Sequence, residues 1–159
     1  PRLPKQLQVT GTSKPRARRL ASTRLVVCAS PAYLERRGTP QQPHELAQHD
    51  IIAYTYSSFG DEWSFDGPDG QVKIKVSARL HANNGDTCRA AALRDQGIVL
   101  QPTFLVEGDL RSGALVEILP GFRTAELGVY AIYASRRQVP LKLRYLIDFL
   151  AEAFREKAW

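Results

Sequence analysis

Apolar and polar positions change their period several times along this chain, and each change marks an element. Leu25-Val26-Val27-Cys28-Ala29 is a continuous apolar run with the length of a buried strand. Ser30-Pro31 then opens a helix, with Ser as N-cap and Pro at the first position, and Gly38 stops it after Arg36-Arg37. Pro40 and Pro43 break the chain; His44 to Gln48 predicts a short helical turn and Ile51 to Tyr56 a strand. Ser57 to Glu62 is a polar loop around Gly60. Next, Glu62 to Phe65 and Val72 to Val76 alternate at period two around Asp66-Gly67-Pro68-Asp69-Gly70, which predicts a hairpin. Its second arm sets Val72, Ile74 and Val76 on one face and Lys73 and Lys75 on the other, the solvated pattern of an edge strand.

The second half repeats the alternation. Arg79 to Ala82 runs as a strand, Asn83-Asn84-Gly85 is turn chemistry, and Asp86 to Arg94 is helical with Ala90, Ala91 and Leu93 on its apolar side. Gly97 ends that helix, and Ile98-Val99-Leu100 is another buried strand. Pro102-Thr103 predicts a cap for a helix from Phe104 to Leu110, closed by Gly113. Leu115 to Leu119 and Leu127 to Ala134 are strands, and Val139 to about Glu156 is a helix. Its expected apolar face is Leu143, Leu146, Ile147, Leu150, Ala153 and Phe154. Strands alternating with helices predict an α/β fold with a largely parallel sheet. Residues 1–15 hold no steady period and read as an irregular basic arm.

Composition narrows the class. A chain of 159 residues, 43% hydrophobic and 24% charged, is one ordinary domain with a real core. No apolar run is long enough to span a bilayer and no signal-peptide pattern opens the sequence. Cys28 and Cys88 match no metal-ligand spacing and sit in apolar or helical sequence, as buried free thiols of a reducing compartment do. The expected location is cytoplasmic. Charge is uneven: residues 1–37 carry nine Lys/Arg against Glu35 alone, while the remainder carries 13 basic and 15 acidic residues. No aromatics interleave with the arginines and no DNA- or RNA-binding motif accompanies them, so a solvated arm and proximity to a nucleic-acid-binding partner fit equally well.

The stretch from Arg79 to Thr87 carries the candidate chemistry. A strand feeding a helix through a short polar turn aims backbone N–H groups, and the helix dipole, at the space beyond the strand's end. In open α/β sheets ligands bind at that edge. Asn84 fits a plain structural cap just as readily. Asp86 already occupies the positive end of the dipole, so it suits a ligand with a donor or serves as a cap itself. Tyr54 and Tyr56, at the end of a strand, fit either a pocket wall or the core.

Several blocks together resemble the effector-binding domain of bacterial LysR-type transcriptional regulators. They are Arg18-Arg19-Leu20-Ala21-Ser22-Thr23-Arg24-Leu25-Val26-Val27-Cys28-Ala29-Ser30-Pro31-Ala32-Tyr33-Leu34, His49-Asp50-Ile51, Trp63-Ser64-Phe65, Ala82-Asn83-Asn84-Gly85, Gly97-Ile98 to Pro102, and Tyr130 to Arg137. The resemblance runs from about residue 16 to 155. It implies a type 2 periplasmic-binding-protein-like fold: a mixed, mostly parallel sheet flanked by helices, in two subdomains with a small-molecule effector in the cleft between them. Residues 30–122 would be the second subdomain, and 16–29 and 123–159 the crossings and the remainder of an incomplete first subdomain. The helix-turn-helix that binds DNA is expected to be missing from this stretch. Positions matching the cleft are Ser30, Asn83, Asn84, Gly85, Asp86, Thr103 and Phe104, with Tyr54 as a wall. All three helix starts are expected to point into one crevice suited to a carboxylate or polar metabolite. The expected assembly is a homo-oligomer, a dimer by resemblance, with no cofactor, metal or membrane.

An enzyme is the rival class. His81, Asp86 and Cys88 lie close in sequence, yet His81 points to the strand face opposite Leu80 and Cys88 lies inside a helix. No nucleophile elbow, metal spacing or Gly-rich phosphate loop accompanies them, so no catalytic residue is expected. A free-standing solute-binding protein is a further alternative, opposed by the missing signal peptide.

Overall fold

Val26 and Cys28 face one core and Val27 and Ala29 another, which is why this stretch reads as unbroken apolar sequence. The computed structural model describes residues 15–57, 60–134 and 139–155. Of the irregular arm expected over residues 1–15, residues 1–14 lie outside them, and Pro15 instead begins the first strand. The elements are β1 (Pro15–Ala29), α1 (Pro31–Arg37), a 3-10 turn (Pro43–Gln48), β2 (Ile51–Tyr54), β3 (Glu62–Gly67), β4 (Gly70–Lys75), β5 (Ala78–Ala82), α2 (Gly85–Ala92), β6 (Ile98–Pro102), α3 (Thr103–Ser112), β7 (Val116–Glu117), β8 (Glu126–Ala134) and α4 (Leu141–Arg155). The chain divides into two compact units, one of residues 24–127 and one of residues 1–23 with 128–159.

In the unit of residues 24–127 the strand order is β5-β2-β6-β1-β7, with β3 and β4 forming a separate hairpin. The sheet is mixed and flanked by helices. Its parallel part is confined to β5, β2 and β6. β1 runs antiparallel to β6, with Leu25 opposite Pro102 and Cys28 opposite Val99, and antiparallel to β7 as well. The expected parallel majority is corrected to this extent: β1 enters the sheet from the opposite direction. Its carboxyl end therefore lies at the edge where β2 and β6 begin.

Two cores result. Tyr33, Leu46, Ile51, Trp63, Phe65, Ile98 and Val27 fill the side under α1 and the hairpin. Val26, Cys28, Ile52, Cys88, Ala92, Val99 and Val106 fill the side under α2 and α3. Tyr33 is fully buried, and its hydroxyl accepts from the Asp50 backbone N–H at 2.9 Å and meets His49 Nδ1 at 3.2 Å, satisfying its polar end.

Helix starts follow the sequence in two cases of three. Ser30 Oγ accepts from Tyr33 N at 3.3 Å, and Asn84 Oδ1 accepts from Asp86 N at 2.7 Å and Thr87 N at 3.3 Å. At α3 the N-cap is Pro102, which offers no side-chain cap, and Thr103 is already the first helical residue. The capping role expected of Thr103 is corrected accordingly. Proline holds φ at −62° with ψ 140°, ending the strand and setting the entry angle without an oxygen to donate to. Arg89 of α2 holds Asp109 of α3 in a fork, Nη2 to Oδ1 at 2.7 Å and Nε to Oδ2, which ties the two helices together.

In the other unit β8 pairs with β1, and Arg18 of β1 forms an ion pair with Asp148 of α4. Only Ile147 of α4 is buried. Leu143, Leu150, Ala151 and Phe154 are half-buried beside it, whereas Leu146 and Ala153, expected on this face, are exposed. A spacing of four, three, one and three residues makes a narrower stripe than the one read from sequence.

Candidate functional site

Parallel strands β5, β2 and β6 end side by side, at Ala82, Tyr54 and Pro102, and the helices that follow β5 and β6 begin at that same edge. A cavity of about 530 Å³ opens there, within the range of small-molecule sites. Its walls are largely apolar: Leu25, Ile52, Trp63, Leu100, Phe104, Leu105 and Leu127. Tyr54 and Tyr56 meet edge to face at 6.0 Å and stand at its rim, 38% and 58% exposed. Asn83, Asn84, Gly85 and Asp86 supply the start of α2, and Gln101 and Pro102 the end of β6. Asp86 is the one charged side chain in the lining among the described residues.

Of the residues marked in the sequence, Tyr54, Asn83, Asn84, Gly85, Asp86 and Phe104 line this cavity and Ser30 and Thr103 do not. Ser30 follows the antiparallel strand β1, so it caps its helix at the far edge of the sheet. The convergence of three helix starts reduces to two, and Ser30 leaves the set. Thr103 is 7% exposed and turned into the structure. Gly85 is needed for a different reason from the one its turn suggested. Asn84 is extended, at φ −136° and ψ 129°, and Gly85 is the first helical residue, outside the left-handed region. A Cβ there would lie 2.9 Å from Leu105 Cδ2 and 3.3 Å from Gln101 Oε1. Close packing of α2 on α3 and β6, not turn geometry, crowds this position, and a side chain there would displace the ends of Leu105 and Gln101.

Sequence reading missed Trp63 and Gln101. Trp63 carried no site signal beyond strand alternation and its place in the block Trp63-Ser64-Phe65. Gln101 did carry one: a lone amide closing the apolar run Ile98-Val99-Leu100.

Neither cysteine offers nucleophilic chemistry. Both thiols are free and buried. Burial, with the Asp109 and Glu117 charges adding to it, pushes Cys28 up to about 12, and burial raises Cys88 as well. Among the described residues no group of three His, Cys, Asp or Glu side chains is placed to hold a metal, and no helix is long and apolar enough to cross a membrane.

Known proteins resemble this chain in sequence and in fold. The family model for the LysR substrate binding domain matches residues 9–155. The chain belongs to this family. HTH-type transcriptional regulator PtxR of Pseudomonas aeruginosa is 34% identical over 136 residues, covering 86% of this chain and 44% of PtxR. HTH-type transcriptional regulator CrgA of Neisseria meningitidis is 36% identical over 138 residues, 86% of this chain and 46% of CrgA. The LysR-family chain thus spans about half the length of the curated relatives it matches. Its fold superposes on the CrgA regulatory domain, a LysR-type transcriptional regulator, with a TM-score of 0.77 at 35% identity, over 88% of this chain and 69% of that one. It also superposes on the full-length Vibrio cholerae virulence activator AphB with a TM-score of 0.78 at 26% identity, over 91% of this chain and 49% of AphB. LysR membership makes the fold periplasmic-binding-protein-like, and the relatives are transcriptional regulators.

Proposed function

We propose that this chain senses a small-molecule effector for a LysR-type transcriptional regulator, and that the effector binds in the cavity at Tyr54, Asn83 to Asp86 and Phe104. The observation that carries this reading is the meeting of two helix starts, α2 and α3, on one largely apolar cavity of about 530 Å³. Apolar walls suit a ligand with an apolar body, and the helix N-termini suit a polar or anionic head. Asp86 offsets part of that positive potential, so the head is held by directed hydrogen bonds more than by net charge. Residues 30–122 are assigned to the second subdomain, and 16–29 with 123–159 to the crossings and the remainder of the first. DNA contact in the whole regulator is assigned to a helix-turn-helix outside these residues, and the place of action to the cytoplasm.

The test is steric. Gly85→Val puts a branched side chain against Leu105 and Gln101 at the cavity wall. Overpacking of this kind is expected to cost about 1–3 kcal/mol of stability. It is also expected to weaken binding of the small carboxylate phenylacetate at least about tenfold, a change of ~1.4 kcal/mol. Titration calorimetry on the parent and the folded variant reads both. Equal affinities would sink the assignment.

Self-association is a second proposal, carried by α4. Leu141, Tyr145 and Phe149 recur every fourth residue and are 66%, 70% and 68% exposed. A stripe of this kind rimmed by polar residues marks an interaction surface. Light scattering is expected to show a homo-oligomer that Tyr145→Glu with Phe149→Glu dissociates. A monodisperse parent monomer at high concentration would refute it.

A further inference from the structure

Gln101 is 2% exposed, and its Nε2 is the one buried side-chain polar atom without a hydrogen-bond partner among the described residues. The side chain points to the same face as Val99, toward the helices α2 and α3, and forms part of the cavity lining. Its Oε1 lies 3.3 Å from where a Gly85 Cβ would stand, so the amide sits beside the first residue of α2, with Leu105 of α3 also against that residue. A methionine has the same reach, and a leucine a bulk somewhat above it; either would fill the position without an amide. A buried donor with no acceptor lowers the stability of the free fold, and some return is needed to explain it.

We propose that Gln101 is the specificity-determining residue of this cavity, its amide hydrogen-bonding an acceptor oxygen on the effector. The proposal rests on the effector-binding reading above and narrows the ligand class to molecules with an apolar body and a carboxylate or carbonyl head. The terminal amide torsion is broad and two-fold, so a half-turn exchanges Nε2 and Oε1 and turns the N–H toward Gly85 and the cavity with the stem in place. The head then enters between the starts of α2 and α3, where the helix dipoles favour an oxygen acceptor. An ammonium at the same depth would face the positive ends of both helices, offset in part by Asp86, and is expected to bind more weakly.

Titration calorimetry with phenylacetate and with phenethylamine, which share a ring and differ in the sign of the head, tests this in the parent, Gln101→Leu and Gly85→Val. The parent is expected to bind phenylacetate more tightly than phenethylamine. Gln101→Leu, with Gln101→Met as the straight-chain control, should melt no lower than the parent, because each replaces an unsatisfied donor with an apolar side chain. Gln101→Leu should bind phenylacetate at least about tenfold more weakly. In the parent, the side-chain NH₂ resonances of Gln101 should shift as phenylacetate is added. Unchanged phenylacetate affinity in Gln101→Leu, with Gly85→Val impaired, overturns the role of Gln101 and leaves the cavity standing. Unchanged affinity in both variants overturns the cavity too. A melting temperature several degrees lower for both Gln101→Leu and Gln101→Met would show that the amide is satisfied in the free protein, and would overturn the proposal. So would a parent that ignores phenylacetate or prefers phenethylamine.

Discussion

Gly97→Ala is expected to remove about 2–5 kcal/mol of stability, from backbone strain and overpacking together. Gly97 has φ +154°, and a Cβ built on it would stand 2.3 Å from the Asp50 carbonyl oxygen and 3.0 Å from the carbonyl carbon. Neither contact can be relieved by turning a side chain, because both partners are backbone. The next residue makes the clash worse: Ile98 N donates to that same Asp50 oxygen at 2.9 Å, and Ile51 pairs with Ile98 where β2 meets β6. Any retreat of Gly97 therefore pulls at the pairing of two central strands. Domains of this size are held by about 5–15 kcal/mol in all, so a large part of the margin is at stake. Urea unfolding of the parent and Gly97→Ala measures it, and a midpoint unchanged by the substitution would refute the argument.

Phe65→Ala is expected to cost about 3–5 kcal/mol. Phe65 is fully buried at the centre of the core between the sheet and the hairpin, together with Trp63, Ile74 and Leu46. Truncation leaves a void that the surrounding strands cannot close, since β3 is already fixed in register to β4 through Phe65 opposite Val72. Val72→Ala is the matched control: it lies across the same hairpin but is 36% exposed, and should cost under about 1 kcal/mol. Thermal unfolding of the two variants separates them. Equal losses would show that the hairpin does not pack as a lid on this core.

The same residues show where sequence reading reached and where it stopped. The hairpin was legible because period two and a Gly-Pro-Asp-Gly turn agree, and β3 and β4 formed within two residues of the expected bounds. Asn84 was legible as a cap, and caps are local: Asn84 Oδ1 reaches donors only two and three residues on. Gly97 was read as a helix stop. The tighter constraint on it comes from Asp50, 47 residues earlier, and no local pattern contains that.

What the sequence determined by itself was the set of elements, their order and the family, because each rests on interactions within a few residues or on blocks that can be matched directly. Direction and neighbourhood were decided only in three dimensions. The strand before Ser30 and the strand before Thr103 look alike as apolar runs, yet they lie antiparallel, with Leu25 opposite Pro102. That one fact sends Ser30 to the far edge and leaves α2 and α3 to form the cavity. Gln101 shows the same division: a polar residue ending an apolar strand is visible in the sequence, but its lack of a partner is not. Whether an amide is satisfied depends on which atoms the fold brings within 3 Å or so of it, and Gly85 comes beside its Oε1 from another element.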